Sequence, residues 1–173
     1  KNFKIFLKTL KSFKNVKLDA LSVHIGSQIL NDAPFRKTLN VMSKLIKELR
    51  LNLKYVDLGG GFGINYTDKE KPINLSKYSK LVHNFSKKLN CRIIFEPGRS
   101  IIGNTGLLIS RIQFIKKGTN KNFIILDAGM NDFMRPALYE AFHKIIPISK
   151  KTSRMKCKIE FVGPICESTC KFR

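Results

Sequence analysis

The feature that most constrains the fold is a threefold alternation of helical and extended apolar patterns in the first part of the chain. Apolar residues at helical spacing precede each of three short, largely apolar segments, which we predict to be strands at residues 18–24, 53–58 and 92–95. Asp32 and Ser76 are suitable N-caps for the second and third helices. Because parallel strands need crossover connections, this order predicts a parallel sheet with helices between its strands.

The pattern changes after Gly103. Residues 107–115, 123–126 and 156–162 are rich in residues that favour strands, and residues 137–145 are the segment there with a helical pattern. This second part of the chain is therefore predicted to be a β domain with one helix.

The fold class follows from the positions of the polar and glycine residues that could bind a ligand, namely His24, Gly59-Gly60-Gly61 and Glu96. In the first part they stand at or just after the predicted strand ends, as they do in (β/α)8 barrels. Three such units cannot close a barrel of about eight strands. We therefore predict an α/β protein in which residues 1–103 are the C-terminal portion of a TIM barrel and residues 104–173 are part of a β domain.

The charge of the chain is unusually high. Its formal net charge is +21, from 33 Lys and Arg against 12 Asp and Glu, and clustered basic residues favour nucleic acids because they displace counterions from phosphates. The lysines are scattered over most segments, however, and Lys, Asn, Ile and Phe are all abundant, as an AT-rich gene favours. We interpret the charge as a solvated surface without specific nucleic-acid binding; nonspecific, salt-sensitive binding is the alternative.

The sequence offers little support for a membrane or metal partner. No apolar run approaches the ~20 residues of a membrane span, and the N-terminus lacks a signal-peptide pattern, so we expect a cytoplasmic protein. The cysteines form no CxxC pair, which argues against zinc and against a disulfide framework. Cys166 and Cys170 are four positions apart, but such pairs are more often incidental, and we predict no metal.

A glycine run and a later arginine suggest a site for an anionic ligand. Gly59-Gly60-Gly61 follows a predicted strand, so its N–H groups can cradle a phosphate; a tight turn is the alternative. Arg99 suits a phosphate or a carboxylate. Glu96 follows a predicted strand, so its carboxylate can contact a ligand at the same place. The alternative for Glu96 is an ion pair with Arg99.

The three histidines have different settings. His24 ends the first predicted strand, where a histidine is either a satisfied core residue or a ligand contact. His83 and His143 fall on predicted helices. We interpret His83 as a surface residue and His143 as a residue that caps a helix or lines an interface.

Several motifs occur in a fixed order and together cover nearly the whole chain. They are HIGSQ from His24, DLGGGFG from Asp57, EPGR from Glu96, DAGM from Asp127, RPALY from Arg135 and GPICES from Gly163. In this order they closely resemble the diaminopimelate decarboxylases, which are group IV pyridoxal-phosphate enzymes of the alanine-racemase-like fold type III. The resemblance implies a carboxy-lyase of lysine biosynthesis that converts meso-diaminopimelate to L-lysine and carbon dioxide.

The resemblance also implies roles for the residues around the cofactor. His24 would stack on the pyridoxal ring and act in catalysis, Ser27 would help to hold the phosphate, and Arg99 would contact phosphate or substrate. Glu96 would face the pyridine nitrogen and favour the protonated ring, which makes the ring a better electron sink. The implied cofactor-binding residues are His24, Ser27, Gly59, Gly60, Gly61, Glu96, Pro97, Gly98 and Arg99.

A second implied group binds the substrate. Arg135 and Tyr139, four positions apart on a helical turn, would grip its distal carboxylate, and Glu167 would receive its distal ammonium. Cys166 would lie near the reacting carbon, as a possible proton donor. In the family the Cys-Glu segment reaches into the neighbouring subunit's site, which implies a homodimer.

The charges of these residues favour one substrate. Diaminopimelate carries an amino acid group at each end, so its recognition needs a cation and an anion beyond the reacting centre; Arg135 and Glu167 supply both. Ornithine would leave Arg135 without a partner, which is costly for a buried charge. The alternatives are a decarboxylase of ornithine, arginine or carboxynorspermidine type, and a noncatalytic decarboxylase-like binding protein.

Two features depart from the family's pattern. The family attaches its cofactor to a lysine in an early Tyr-x-x-Lys-Ala motif, whereas residues 66–69 have that spacing in a polar loop followed by Glu70. We interpret this match as chance and expect the chain alone to be inactive. Thr169 and Cys170 replace the usual Gly-Asp. A branched residue restricts positive φ, so we expect a shift of the Cys166–Glu167 loop.

Overall fold

The computed structural model describes residues 2–149 and 157–172. The chain divides into two compact units. One comprises Lys1–Asn65 and Glu70–Gly106 and is called the α/β unit here; the other comprises Tyr66–Lys69 and Leu107–Arg173 and is called the β unit. Among the helices of the described residues, none combines the length and the apolar character that crossing a membrane requires.

The α/β unit contains a parallel sheet with helices between successive strands, as predicted. The strands lie in the order β1-β2-β3, and both pairs are parallel. Its elements in chain order are α1 (Asn2–Leu10), β1 (Ala20–Ser22), α2 (Ala33–Glu48), β2 (Tyr55–Asp57), α3 (Leu75–Leu89), β3 (Arg92–Ile94) and α4 (Arg99–Ile102).

The caps of the two long helices differ from the prediction in two respects. Asp32 is the N-cap residue of α2, as predicted, but its side chain makes no capping hydrogen bond; its carboxylate instead pairs with Arg36 and Lys77. The prediction of Ser76 as the cap of α3 was wrong. Asn74 takes that position, and its side chain accepts a hydrogen bond of 2.9 Å from the Lys77 N–H. Asn caps helices as well as Ser does.

The apolar stripes of α2 and α3 meet the sheet in a single core. Val56, in the middle of β2, is fully buried. Three rings pack together beside it: the Phe35 ring centroid lies 5.1 Å from that of Phe62 and 5.0 Å from that of Tyr78. Burial raises the pKa of Tyr78 to about 12. Since each fully buried side chain of this kind contributes about 1.5–3 kcal/mol, this core holds the sheet in place.

The β unit contains a mixed sheet and a short helix. Strands β4 and β5 form an antiparallel pair, β6 lies parallel to β5, and β7 is antiparallel to β6. A small core surrounds Leu126 and Phe172. The elements are β4 (Ile112–Lys116), β5 (Asn122–Leu126), α5 (Arg135–Tyr139), β6 (Ile159–Val162) and β7 (Lys171–Phe172).

Several elements of this unit differ in their bounds from the prediction, and one of them is β6, which covers Ile159–Val162 of the predicted residues 156–162. The helix expected at residues 137–145 is α5, which covers Arg135–Tyr139 and ends because Glu140 adopts a left-handed φ of 50°. The strand expected at residues 107–115 begins only at Ile112. Of the strand predicted at residues 156–162, Lys156 lies outside the described residues.

Candidate functional site

The carboxyl ends of the parallel strands bring His24, Gly59 and Glu96 into one row. The last residues of β1, β2 and β3 are paired in register, and each of these three residues lies two positions beyond its strand. Backbone pairing continues there, because the Glu96 N–H donates a hydrogen bond of 2.8 Å to the Gly59 carbonyl oxygen. Residues that are about 35 positions apart in the chain thus become neighbours at one edge of the sheet.

The glycine run allows the loops after the strands to approach each other closely. A side chain at Gly60 would collide with the carbonyl oxygen of Glu96. Gly61 has a φ of +95°, and a side chain there would collide with the carbonyl oxygen of Gly26. These two positions therefore require glycine, and the edge of the sheet presents backbone rather than side chains there.

The side chains of His24 and Ser27 lie exposed beside this run. The Gly60 N–H donates a hydrogen bond of 3.3 Å to His24 Nδ1. Since an accepting ring nitrogen carries no hydrogen, the neutral ring has its proton on Nε2. The Ser27 hydroxyl has no hydrogen-bond partner within residues 2–149 and 157–172. Both side chains thus retain groups that a ligand can use.

The EPGR segment connects β3 to α4. Glu96, Pro97 and Gly98 are exposed. The Glu96 carboxylate forms no ion pair with a described residue, so the alternative of a Glu96–Arg99 pair is wrong. Arg99 instead donates a hydrogen bond of 3.1 Å from Nη1 to Gln28 Oε1.

Gln28 was not among the predicted site residues. Its Nε2 donates to the Ile64 carbonyl oxygen at 2.6 Å, and its Oε1 accepts from the Ile64 N–H at 3.3 Å. It also has a positive φ of 60°. The side chain therefore joins the loop after β1 to the segment after the glycines and to Arg99. Its place beside Ser27 in the HIGSQ motif was the signal that could have identified it.

In the β unit, Arg135 lies among aromatic rings. Its Cζ is 5.3 Å from the centroid of the Tyr66 ring and 5.9 Å from that of the Tyr139 ring. Its Nε donates a hydrogen bond of 3.3 Å to His143 Nε2. The structure therefore brings Arg135 and Tyr139 together, as predicted, and adds Tyr66 and His143.

His143 does not cap a described helix. Its ring packs edge-on against Phe133, with centroids 4.6 Å apart, and against Tyr66, at 5.3 Å. Burial, and then the positive charge of Arg135, hold the pKa of His143 below its usual value. The spacing of Arg135, Tyr139 and His143, four positions each, was a signal for this cluster, although α5 itself ends before His143.

The loop that carries Cys166 and Glu167 is exposed. The Ser168 hydroxyl donates a hydrogen bond of 2.9 Å to Glu167 Oε1, and the Thr169 N–H donates to the same oxygen at 3.4 Å. The bond from Ser168, followed by that from the Thr169 backbone, lowers the pKa of Glu167. Glu167 is thus held as a carboxylate beside the exposed Cys166 thiol.

The departure at Thr169 and Cys170 is accommodated without strain in the described backbone. Thr169 does not adopt a positive φ. Cys170 is buried, and its Sγ accepts a hydrogen bond of 3.4 Å from the Met130 N–H. A side chain at Gly163 would lie in the space that Cys170 Sγ fills. The thiol therefore serves as a small packing group between the loops that follow β5 and β6.

The predicted residues thus form two groups, one in each unit. The first contains the strand-end row with Ser27 and Arg99; the second contains Arg135 and Tyr139, with Cys166 and Glu167 on a separate loop of the same unit. No cluster of three or more His, Cys, Asp or Glu side chains suited to a metal ion occurs in the part of the chain that the structure describes.

Comparison with known proteins identifies the family. Residues 17–172 match the family described as pyridoxal-dependent decarboxylase, C-terminal sheet domain. The chain belongs to the pyridoxal-dependent decarboxylases. It is 42% identical over 158 residues to the diaminopimelate decarboxylase of Aquifex aeolicus, a match that covers 90% of this chain and 37% of the relative. The match to the Haemophilus influenzae enzyme of the same name is 38% identical over 165 residues and covers 94% of this chain and 40% of the relative.

Solved structures agree with this assignment. The diaminopimelate decarboxylase of Helicobacter pylori complexed with L-lysine superposes with a TM-score of 0.84 at 36% identity, over 98% of this chain and 43% of that one. The enzyme from M. jannaschii in complex with L-lysine has a TM-score of 0.86 at 31% identity, over 98% and 41%. The predicted resemblance to diaminopimelate decarboxylases is confirmed, and the chain spans only 37% and 40% of the two curated relatives described above.

Proposed function

We propose that this chain is the C-terminal part of a diaminopimelate decarboxylase whose complete form converts meso-diaminopimelate to L-lysine and carbon dioxide with pyridoxal 5'-phosphate. The curated relatives named above carry that activity in their names, and two structural neighbours hold L-lysine. Within the chain, the observation that carries the proposal is the row of His24, Gly59 and Glu96 at the strand ends.

The α/β unit has the chemistry that this cofactor needs. The Ser27 hydroxyl and the Gly61 N–H donate to no other described residue, so both can serve the phosphate. The Gly59 N–H and the Gly60 N–H already donate to Asp57 and His24. Their part in phosphate binding is therefore mainly to keep side chains away from it.

The ring of the cofactor would lie between His24 and Glu96. His24 would stack on it, in the orientation that the Gly60 N–H fixes at Nδ1. The exposed Glu96 carboxylate would face the pyridine nitrogen and hold a proton there by charge attraction. When bound, the cofactor supplies an electron sink for the electron pair of the broken carbon–carbon bond. Pro97, Gly98 and Arg99 would shape the phosphate side of this site.

The β unit would recognise the end of the substrate away from the reacting carbon. Arg135 and Tyr139 would bind the distal carboxylate, and Glu167 would bind the distal ammonium. Cys166 would lie near the reacting carbon and return a proton to it. The exposed position of the Cys166–Glu167 loop suits a homodimer in which this loop completes the neighbouring subunit's site.

The architecture of the complete protein follows the same proposal. Residues 1–103 would be the last portion of a cytoplasmic TIM barrel, since β1, β2 and β3 are parallel with helices between them. Residues 104–173 would belong to the C-terminal β domain. Tyr66–Lys69 lies in the β unit and Tyr66 contacts Arg135. That placement supports the view that its Tyr-x-x-Lys spacing is chance and that this chain alone is inactive.

No observation favours a decarboxylase of ornithine, arginine or carboxynorspermidine type as strongly as a diaminopimelate decarboxylase. The lysine/ornithine decarboxylase of Vibrio vulnificus complexed with cadaverine matches at 21% identity and a TM-score of 0.83, and so agrees in fold alone. Arg135, in contrast, pairs with no carboxylate among the described residues and suits a substrate with a second carboxylate.

Replacing Arg135 in the complete protein tests the proposed substrate. Arg135→Ala should lower kcat/KM for diaminopimelate by roughly 10²–10³-fold, because truncating one partner of a buried charge pair costs about 2–5 kcal/mol. Binding of cadaverine, which has no carboxylate, should change little. Arg92→Ala, at the amino end of β3 and exposed, is the matched control and should leave both quantities unchanged. Normal turnover of diaminopimelate by the Arg135→Ala enzyme would contradict the proposal that Arg135 binds the distal carboxylate.

A further inference from the structure

The guanidinium of Arg135 is held at one edge and open at the other. Its Nε donates to His143, whereas neither terminal amino group donates to another described residue. The side chain is half-buried, and no carboxylate within residues 2–149 and 157–172 pairs with it. A cation in such a setting is poised for an anion that binds end-on, across the two terminal nitrogens.

We propose that His143 is a positioning residue for Arg135. As a neutral imidazole it accepts the Nε–H, which blocks the side of the guanidinium and leaves only the edge formed by the two terminal nitrogens for a carboxylate. The inference rests on the proposed function, in which Arg135 binds the distal carboxylate of the substrate. It adds a residue that sets the direction of that binding without touching the substrate.

The aromatic neighbours fix the histidine ring in the accepting orientation. Phe133 and Tyr66 both meet the ring edge-on, at interplanar angles of 71° and 81°. Tyr66 also lies against the guanidinium, so one ring limits the movement of both partners. Rotation of His143 away from Arg135 would lose both ring contacts, each of which contributes roughly 0.5–1.5 kcal/mol.

The charges around the ring favour its neutral form. Among residues 2–149 and 157–172, the titratable and charged groups shown in contact with the ring are Arg135 on α5 and the Tyr66 phenol; Phe133 adds no charge. The nearby Lys144 is paired with Asp68 at 3.7 Å, and both are exposed. Burial and the charge of Arg135 keep the pKa of His143 low, so the ring can accept a hydrogen bond at neutral pH.

Protonation would reverse this arrangement. An imidazolium has no acceptor and repels the guanidinium, so acid should release Arg135 from its position. Carboxylate affinity should therefore hold at neutral pH and decline only at pH values below the usual histidine pKa of about 6.5, because the pKa of His143 is lowered.

Two variants of His143 separate positioning from packing. His143→Gln places an amide oxygen near the site of Nε2 and keeps an acceptor that does not titrate. His143→Leu has a similar size and no acceptor. His83→Gln, on an exposed position of α3, is the matched control for the change of residue type.

Binding of L-lysine and of cadaverine to the complete holoenzyme, measured by calorimetry from pH 5 to pH 8, is the test. L-lysine keeps the distal amino acid group of diaminopimelate, whereas cadaverine lacks its carboxylate. His143→Leu should weaken L-lysine binding about tenfold, as expected for loss of one hydrogen bond to a charged group, and leave cadaverine unchanged. KM for diaminopimelate should rise with kcat little changed. His143→Gln should retain the affinity for L-lysine, and that affinity should no longer decline as the pH is lowered.

Three results would overturn the inference. One is unchanged L-lysine affinity in His143→Leu; another is an equal loss for L-lysine and cadaverine, which indicates general damage to the site. The third is an acid dependence in His143→Gln identical to that of the native protein, and it remains decisive if the leucine variant fails to fold. If Arg135→Ala leaves L-lysine binding unchanged, the proposed role of Arg135 in binding the carboxylate is wrong. If Arg135→Ala weakens L-lysine binding but the His143 variants do not, the proposed function stands and the positioning role of His143 is wrong.

Discussion

The two units use apolar residues in opposite ways. In the α/β unit, helices α2 and α3 and the sheet enclose a core in which Phe35 is 3% exposed. In the β unit, every residue of β4 is exposed, and Phe114 in that strand is 61% exposed. The small core of the β unit involves β5, β6 and β7.

This difference reflects what each kind of element requires. A helix with one apolar stripe can cover the sheet that its own neighbours in sequence build, so an αβ repeat buries its apolar residues locally. A sheet has two faces, and each apolar face needs a further layer. In the described part of the β unit, β4 has no such layer, although three of its five residues are apolar.

The largest expected effect is the loss of a core ring in the α/β unit. Phe35→Ala should lower the free energy of unfolding of the complete protein by about 3–5 kcal/mol, because the cavity would lie between Phe62 and Tyr78. Phe114→Ala should change it by no more than about 0.5 kcal/mol. Denaturant unfolding measures both. Equal losses would mean that β4 is covered in the complete protein, and the contrast between the units would disappear.

A glycine exchange tests the strand-end row with a smaller effect. Gly60→Ala should cost roughly 1–3 kcal/mol, because the new methyl group collides with the backbone of Glu96, which cannot move without breaking the sheet edge. Affinity for pyridoxal phosphate, measured by fluorescence titration, should fall as well. Gly106→Ala meets open space and is the control. Normal cofactor affinity in Gly60→Ala would show that the close approach at Gly60 is not needed for binding.

The smallest expected effect is a difference between the pKa shifts of Asp32 in the α/β unit and Asp127 in the β unit. The Arg36 hydrogen bond, with a further contribution from Lys77, lowers the pKa of Asp32 in the α/β unit. The Ser110 hydroxyl and the Arg111 backbone N–H lower the pKa of Asp127 in the β unit. Both pairings contribute stability above the unfolded pKa of about 3.9, and this is lost as pH falls through the lowered value.

Salt should separate the two carboxylates. Screening at about 1 M ionic strength weakens the attraction of Asp32 to Arg36 and Lys77 but not the neutral donors at Asp127. Carboxyl carbon NMR titrations should therefore show the pKa of Asp32 rising with salt more than that of Asp127. Equal rises would indicate that charge dominates in both units.

Local patterns in the sequence were sufficient for most elements of the α/β unit, although they did not predict α4. Helical spacing and flanking glycines predicted α2, α3 and the parallel strands, because the apolar residues of each element face neighbours close in sequence. Boundaries were less certain: Asn74 rather than Ser76 caps α3, and α5 ends at Tyr139. In both places several residues have similar preferences, and packing selects among them.

The sequence by itself determined the family, because its motifs keep their order and spacing, and it determined which residue types stand at the strand ends. Only the tertiary structure decided what those residues contact. Strand register places His24, Gly59 and Glu96 in one row, and the folding of the β unit gives Arg135 its histidine partner and its tyrosine neighbours. The pairings at the strand ends and the contact of Arg135 with Tyr66 join residues far apart in the chain, and their energies depend on distances that no local pattern encodes.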